Sequence, residues 1–203
     1  LYKYIMNLSV QESYDLISPY FSVTRVHIWS WTNDFILKLP NNSIILDIGS
    51  GNGRNSKFNN HIVICLDISY NQLSMNCNKK NISIHANMIN MPFLNNSFDT
   101  ILCIASFHHL QTVEERHNCL LEIKRILKSN GKILLSVWSF NQPTKTKRTF
   151  KNYGDNIVEW NTNYKNKDGK NIIIPRYYYI FNINEIIELL EKYFIIKKNI
   201  GIA

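Results

Sequence analysis

The chain has 203 residues, 45% of them hydrophobic, which is enough for one sizeable core and too little for two, so a single domain over 1–203 is expected. A formal net charge of +8 favours an anionic partner such as nucleic acid, although Asn/Lys/Ile-rich stretches such as "NKKNIS" and "YKNKDGKN" supply part of that excess and weaken the argument. Cys65, Cys77, Cys103 and Cys119 form no CxxC pair, no run of about 18 apolar residues exists and the N-terminus lacks a signal layout, so a zinc motif, a membrane span and secretion are unsupported and a reducing, cytoplasmic setting without a membrane partner is expected.

The start at Leu1 in place of a methionine reads as a trimmed terminus. Residues 4–39 carry apolar positions at helical spacing in "ESYDLISPYF" and "WSWTNDFILKL", broken at "SVTR", which predicts two helices forming an N-terminal lid over 1–40. Short apolar runs then alternate with helical patterns. Strands are predicted at "SIILDI" (43–48) and "VICLDI" (63–68), a helix at "SYNQLSMNCNKK" (69–80), and strands at "ISIHA" (82–86) and "FDTILCI" (98–104). A helix at "VEERHNCLLEIKRILKS" (113–129) and a strand at "KILLSVW" (132–138) follow. This alternation specifies an α/β fold with a mostly parallel twisted sheet and helices on both faces. The polar stretch from about 140 to 175 has no clear period and is expected to be an insertion or mobile loop. After it come "RYYYIF", a helix at "NEIIELLEKY" and a last strand at "FIIKKNI".

"ILDIGSGNGR" runs from a strand into three glycines within five positions. At a strand-to-helix turn Gly49, Gly51 and Gly53 permit positive φ and close ligand approach beside free helix N–H groups. The spacing G-x-G-x-G differs from the G-x-G-x-x-G dinucleotide pattern, so a pyrophosphate reader is disfavoured. Asp67 closes the second strand, where a carboxylate can accept both ribose hydroxyls. Asn87 and Met88 follow the third strand at the same carboxyl edge, placed to meet an adenine. Asp47 either faces this site or is a strand-end carboxylate satisfied by loop N–H groups.

"DIGSGNG", "LDIS", "NMINMPFLNNSFDTILCI" and "LLEIKRILKSNGKILLSVW", in this order, resemble the class I S-adenosylmethionine-dependent methyltransferases. The resemblance implies a Rossmann-like sheet of order 3-2-1-4-5-7-6, with S-adenosylmethionine as cofactor and S-adenosylhomocysteine as product. It also implies Gly49, Gly51 and Gly53 beside the methionine moiety, Asp67 on the ribose and Asn87 near adenine, with Asp47, Met88 and Ala105 completing the cofactor set. The family's usual aspartate is Asn87 here, so altered affinity is expected. The last strand expected after "FIIKKNIGIA" is missing from the sequence.

"YFSVTRVHIWSW", "IASFHHL" and "RYYYIF" narrow the resemblance to the eukaryotic tRNA wobble-uridine carboxymethyl methyltransferases, which esterify 5-carboxymethyluridine. "HIWSW" and "VEW" (158–160) depart from the family's proline-flanked tryptophan and V-P-W segments. A carboxylate nucleophile is already anionic near neutral pH and needs no strong base, only positioning in line with the donated methyl. Arg25 and Arg176 can hold such a carboxylate bidentately, or instead a phosphate. Of His108 and His109, just past strand four, one is expected to line the pocket and His108 is favoured, with the other packing or bonding to backbone. Tyr14 and Trp29 are expected to close over the cleft, and His109, Tyr177 and Tyr178 to help bind substrate, with at least one of Tyr177, Tyr178 and Tyr179 turned inward as core. Lys145, Lys147, Arg148 and Lys151 form either a phosphate-tracking or a solvated loop.

The order 3-2-1-4-5-7-6 leaves "ISIHA" at a sheet edge, which exposes unpaired N–H and C=O groups. The resemblance implies that a small zinc-binding activator subunit adds a strand near Ile82–Ile84, and that the anticodon loop of tRNA is the other partner. A small-molecule methyltransferase of quinone or sterol type and a non-catalytic cofactor-binding subunit remain as rival readings.

Overall fold

The computed structural model describes residues 8–76, 78, 80–142, 149–166 and 168–197. Five strands form one parallel sheet in the order β3-β2-β1-β4-β5: β1 (Ile44–Ile48), β2 (Ile62–Asp67), β3 (Ile82–His85), β4 (Phe98–Ile104) and β5 (Leu127–Ser136). Their near-continuous Ile, Leu, Val and Cys runs fit strands covered on both faces, and Ile45, Leu46, Ile48, Cys65, Leu66, Ile101, Leu102 and Cys103 are fully buried. The chain leaves β1 for β2 and β3 on one side and returns to β4 and β5 on the other. A crevice therefore opens at the carboxyl ends of β1 and β4, where such sheets bind ligands.

Helix α1 (Val10–Val23) starts with a capping box in which Ser9 and Glu12 satisfy each other's backbone N–H groups. Pro19 sits inside it and cannot donate to the Asp15 carbonyl. That carbonyl instead accepts the Ser18 hydroxyl at 3.1 Å and the Asn71 amide at 3.2 Å, and the second bond ties α1 to the rim of the sheet. Helix α2 (Ser30–Ile36) packs Ile36 against Ile45, Leu102 and Ile104. Helix α4 (Val113–Ile126) opens on a Thr112/Glu115 capping box and buries Cys119, Leu120, Ile123 and Ile126. It ends three residues short of the predicted bound, because Leu127 turns to extended backbone and pairs with Phe98.

Helix α3 (Tyr70–Ser74) is much shorter than the predicted 69–80. Asparagine side chains take over the backbone bonds beyond it: Asn78 N–H donates to Asn76 Oδ1 at 3.0 Å and Lys80 N–H to Asn78 Oδ1 at 3.1 Å.

The segment expected to be an insertion loop over 140–175 contains ordered structure. Strands β6 (Gly154–Lys165) and β7 (Asn171–Ile180) pair antiparallel as a separate two-stranded sheet, with Asn166 N–H donating to the Lys170 carbonyl at 2.7 Å just beyond their paired ends. Exposed Ile157 and Ile173 on the outer face and buried Asn156 and Thr162 on the inner one hid the strand alternation. This hairpin lies in the insertion and is not the 7-6 pair of the expected order, which falls after the C-terminal helix; the 3-2-1-4-5 part of that order is as expected. Helix α5 (Ile183–Glu191) follows, capped by Asn182 and Glu185. The last predicted strand is not seen over 194–197, and 198–200 lie outside the described residues, as do Lys145, Lys147 and Arg148. Lys151 is described and exposed.

Candidate active site

One cleft at the carboxyl ends of β1, β2 and β4 is walled by Gly49, Gly51, Asp67, Asn87, Met88 and Ala105. The glycine loop is fixed from outside: a Cβ on Gly49 would lie 2.3 Å from Ser106 Cβ, at φ +66°. Asp67 Oδ2 accepts Gly51 N–H at 2.7 Å and Oδ1 accepts Ser69 N–H at 2.8 Å, which orients the carboxylate and leaves each oxygen a further lone pair. Burial raises its pKa against those bonds. Asn87 is exposed, its Oδ1 accepting Ile89 N–H at 3.1 Å, and Met88 lies against the glycine loop. Ala105 holds φ +52°, an uncommon backbone for a residue with a Cβ, and its N–H donates to both the carbonyl and the hydroxyl of Ser136 at 3.0 Å.

Asp47 and Gly53 do not wall this cleft. Asp47 lies behind the loop, hydrogen-bonded by the Ser56 hydroxyl, and burial pushes its carboxyl up to about 7. Gly53 is set against Asn76.

The two histidines are placed in the reverse of the expected orientation. His108 is 0% exposed, stacked on Tyr178 (centroids 5.0 Å, planes 24° apart), with Nδ1 accepting Trp138 N–H at 3.3 Å. Burial drives its pKa well below the ordinary value. His109 is the one in the cleft wall. Its Nδ1 lies 2.8 Å from the Tyr177 carbonyl, which can only accept, so the proton sits on Nδ1. Burial lowers its pKa to about 4, leaving Nε2 as an acceptor for the Tyr14 hydroxyl at 2.8 Å. The turn from Ala105 through the 3₁₀ segment Phe107–His109 decides which ring faces out, and adjacent identical residues carry no signal of that in sequence.

Tyr178 is the tyrosine turned inward, 1% exposed among Trp138, Phe150 and His108, although its edge reaches the cleft. Tyr177 points elsewhere, its hydroxyl donating to Asp155 Oδ1 at 2.5 Å, so it does not help line the cleft. Trp29 lines the cleft, stacked on Trp31 and covered by the Arg54 guanidinium 4.1 Å from its centroid. Burial lowers the Arg54 pKa to about 10.

Arg25 also lines the cleft, its guanidinium 4.5 Å from the Phe21 centroid and 5.6 Å from that of Trp160. Arg176 sits just behind, 2% exposed, 4.8 Å from the Trp160 centroid, with Nε and Nη1 lacking any hydrogen-bond partner. Burial and the charge of Arg176 lower the Arg25 pKa. Sequence reasoning missed Asn52 and Arg54, which line the cleft, and gave no role to Trp160, which lies behind the wall with Arg176. Asn52, between two of the glycines, donates to the Ser22 and Arg25 carbonyls at 3.3 and 3.0 Å and so anchors the arginine to the glycine loop. Its position inside the glycine run was the available signal.

The chain matches the methyltransferase domain family over residues 46–135. It is similar to a tRNA (carboxymethyluridine(34)-5-O)-methyltransferase of Arabidopsis thaliana, 34% identical over 134 residues, which cover 66% of this chain and 33% of the relative. A relative of the same name from Schizosaccharomyces pombe is 30% identical over 200 residues, covering 91% of this chain and 87% of the relative. In structure it resembles an S-adenosylmethionine-dependent methyltransferase from Clostridium acetobutylicum, with a TM-score of 0.60 at 16% identity over 79% of this chain and 78% of that one. The parallel sheet order β3-β2-β1-β4-β5 is the one the sequence resemblance implies for these five strands, and the chain belongs to the class I S-adenosylmethionine-dependent methyltransferases, in the family of the tRNA (carboxymethyluridine(34)-5-O)-methyltransferases.

Proposed function

We propose that this protein transfers a methyl group from S-adenosylmethionine to the carboxylate of 5-carboxymethyluridine at the wobble position of tRNA, giving the methyl ester. The observation that carries this reading is the pair Arg25 and Arg176, two desolvated guanidiniums beside the cofactor cleft, one with buried N–H groups that have no acceptor among the described residues. Buried guanidinium N–H groups left without an acceptor are costly, and a substrate carboxylate would relieve that cost.

The donor set fits the cofactor. Asp67 would hold the ribose hydroxyls, the glycine loop would lie along the methionine moiety, and Asn87 with Met88 would face the adenine. When bound, S-adenosylmethionine supplies an electrophilic methyl on a positively charged sulfur. The carboxylate is ionised at neutral pH, so the protein has no proton to remove. This agrees with a neutral His109 that accepts from Tyr14 and is a poor base. Arg25 and Arg176 would fix one carboxylate oxygen towards the methyl, and such positioning can supply much of the rate.

We also infer that a small activator subunit, zinc-binding as the resemblance implies, covers the β3 edge. Among the described residues strand β3 pairs only with β2, Ile82 is 52% exposed, and Tyr70 and Met75 are exposed nearby. Among the described residues no helix is long and apolar enough to cross a membrane.

The test is incubation of the partner-bound protein with labelled S-adenosylmethionine and tRNA from cells lacking the wobble-uridine enzyme, followed by nucleoside analysis. Methyl ester on 5-carboxymethyluridine is expected. Label in lipid would instead favour a small-molecule substrate, and cofactor binding without transfer a non-catalytic subunit.

A further inference from the structure

Arg176 Nε and Nη1 are not the only donors at this spot without an acceptor among the described residues: the indole N–H of Trp160 is also buried and unpartnered. The two residues share a face of the β6–β7 hairpin. Arg176 pairs directly with Val158, and Trp160 lies two residues along β6, so the period of two brings its ring beside the guanidinium, 4.8 Å from centroid to Cζ. The same ring meets Phe21 at 5.4 Å and the Arg25 guanidinium at 5.6 Å. Trp160 is therefore shared by two cations, and its π cloud offsets part of their repulsion. What the ring cannot do is accept a conventional hydrogen bond from them. Arg176 Nε, Arg176 Nη1 and Trp160 Nε1 form a set of buried donors with no acceptor among the described residues.

We propose that Trp160 is a third binding residue for the substrate carboxylate, donating its indole N–H alongside the guanidiniums, and that this all-donor site selects a carboxylate over its neutral amide isostere. The inference rests on the reading of the substrate as a carboxymethyl group. A carboxylate presents lone pairs on both oxygens to these donors. A carbamoylmethyl group has nearly the same shape, but its NH₂ would oppose N–H groups, leaving donors on both sides unsatisfied.

The test uses short anticodon stem-loops carrying either 5-carboxymethyluridine or 5-carbamoylmethyluridine, titrated against the partner-bound enzyme with S-adenosylhomocysteine present. The wild-type protein should prefer the carboxylate RNA by at least about tenfold, the range of one hydrogen bond to a charged group. Trp160→Phe keeps a smaller ring for the arginines and removes the donor, so the preference should drop about tenfold while S-adenosylhomocysteine affinity stays the same. Should Phe perturb the packing, as a lowered melting temperature would reveal, the benzothiophene analogue of tryptophan at position 160 keeps the shape without the N–H. Full preference retained in that analogue would overturn the role of Trp160. A wild-type protein that binds both RNAs equally would overturn the carboxylate reading itself, and the Trp160 inference with it.

Discussion

Replacing Gly49 by alanine tests whether the cofactor loop is held in place by the fold or only by its ligand. Gly49 has φ +66°, and an alanine Cβ there would lie 2.3 Å from Ser106 Cβ and 2.8 Å from Ser106 Oγ. Ser106 cannot easily retreat, being buried, with its hydroxyl donating to the Ile48 carbonyl at 2.8 Å. The left-handed backbone alone costs about 1–2 kcal/mol for a residue with a Cβ. Carbon atoms at their optimum sit roughly 3.5–4 Å apart, so relieving the overlap needs a shift of more than about 1 Å, and such overpacking adds about 1–3 kcal/mol. Gly49→Ala should therefore lose about 2–5 kcal/mol of stability in urea unfolding, with cofactor-product affinity falling as well. Gly169 supplies the control: it has φ +74° with nothing within 4 Å of an added Cβ, so Gly169→Ala should show only the backbone cost of about 1–2 kcal/mol. Adding Ser106→Gly to Gly49→Ala should recover the overlap part. Equal losses at positions 49 and 169, or no recovery in the double variant, would refute the close-approach argument.

Arg25→Ala should leave S-adenosylhomocysteine binding within about twofold by calorimetry and reduce methyl transfer to tRNA by about 100-fold, the scale of losing a charge-assisted pair that orients substrate. Loss of cofactor binding instead would place Arg25 on the cofactor. Asp67→Ala should weaken S-adenosylhomocysteine by about 10–100-fold, since it removes charged hydrogen bonds and frees Gly51 N–H; unchanged affinity would remove Asp67 from the site. His109 has a folded pKa of about 4 against 6.5 for the free side chain, so the unfolded chain binds its proton first as pH falls. Stability should therefore be undiminished by this group above pH 6.5 and decline between about 6.5 and 4, by at most about 3 kcal/mol, and His109→Gln should flatten that limb in unfolding curves taken across the range. An acid limb of the same slope in His109→Gln would contradict the neutral, buried assignment.

The parallel sheet, the glycine loop and the strand-two carboxylate were legible because they follow from local rules, whereas the strand order came only with the family resemblance. A run such as "SIILDI" ending in "GSGNG" has little freedom but to be a buried strand entering a ligand-facing turn, and alternation with helical segments makes the sheet parallel. The segment over 140–175 was not legible, because a two-stranded ribbon stabilised by packing on α1 needs no strong alternation of its own and its asparagines read as loop. Nor could sequence say where α3 ends, since asparagine side chains compete with the helix only once their backbone partners are in reach. The choice between His108 and His109 belongs entirely to the tertiary structure: the turn after β4 rotates one ring into the Trp138–Tyr178 stack and the other towards Tyr14. The same holds for the arginines. Sequence placed Arg25 and Arg176 in separate segments, and only the docking of α1 on the hairpin sets both guanidiniums against Trp160, because burial and charge act through space and take no account of separation along the chain.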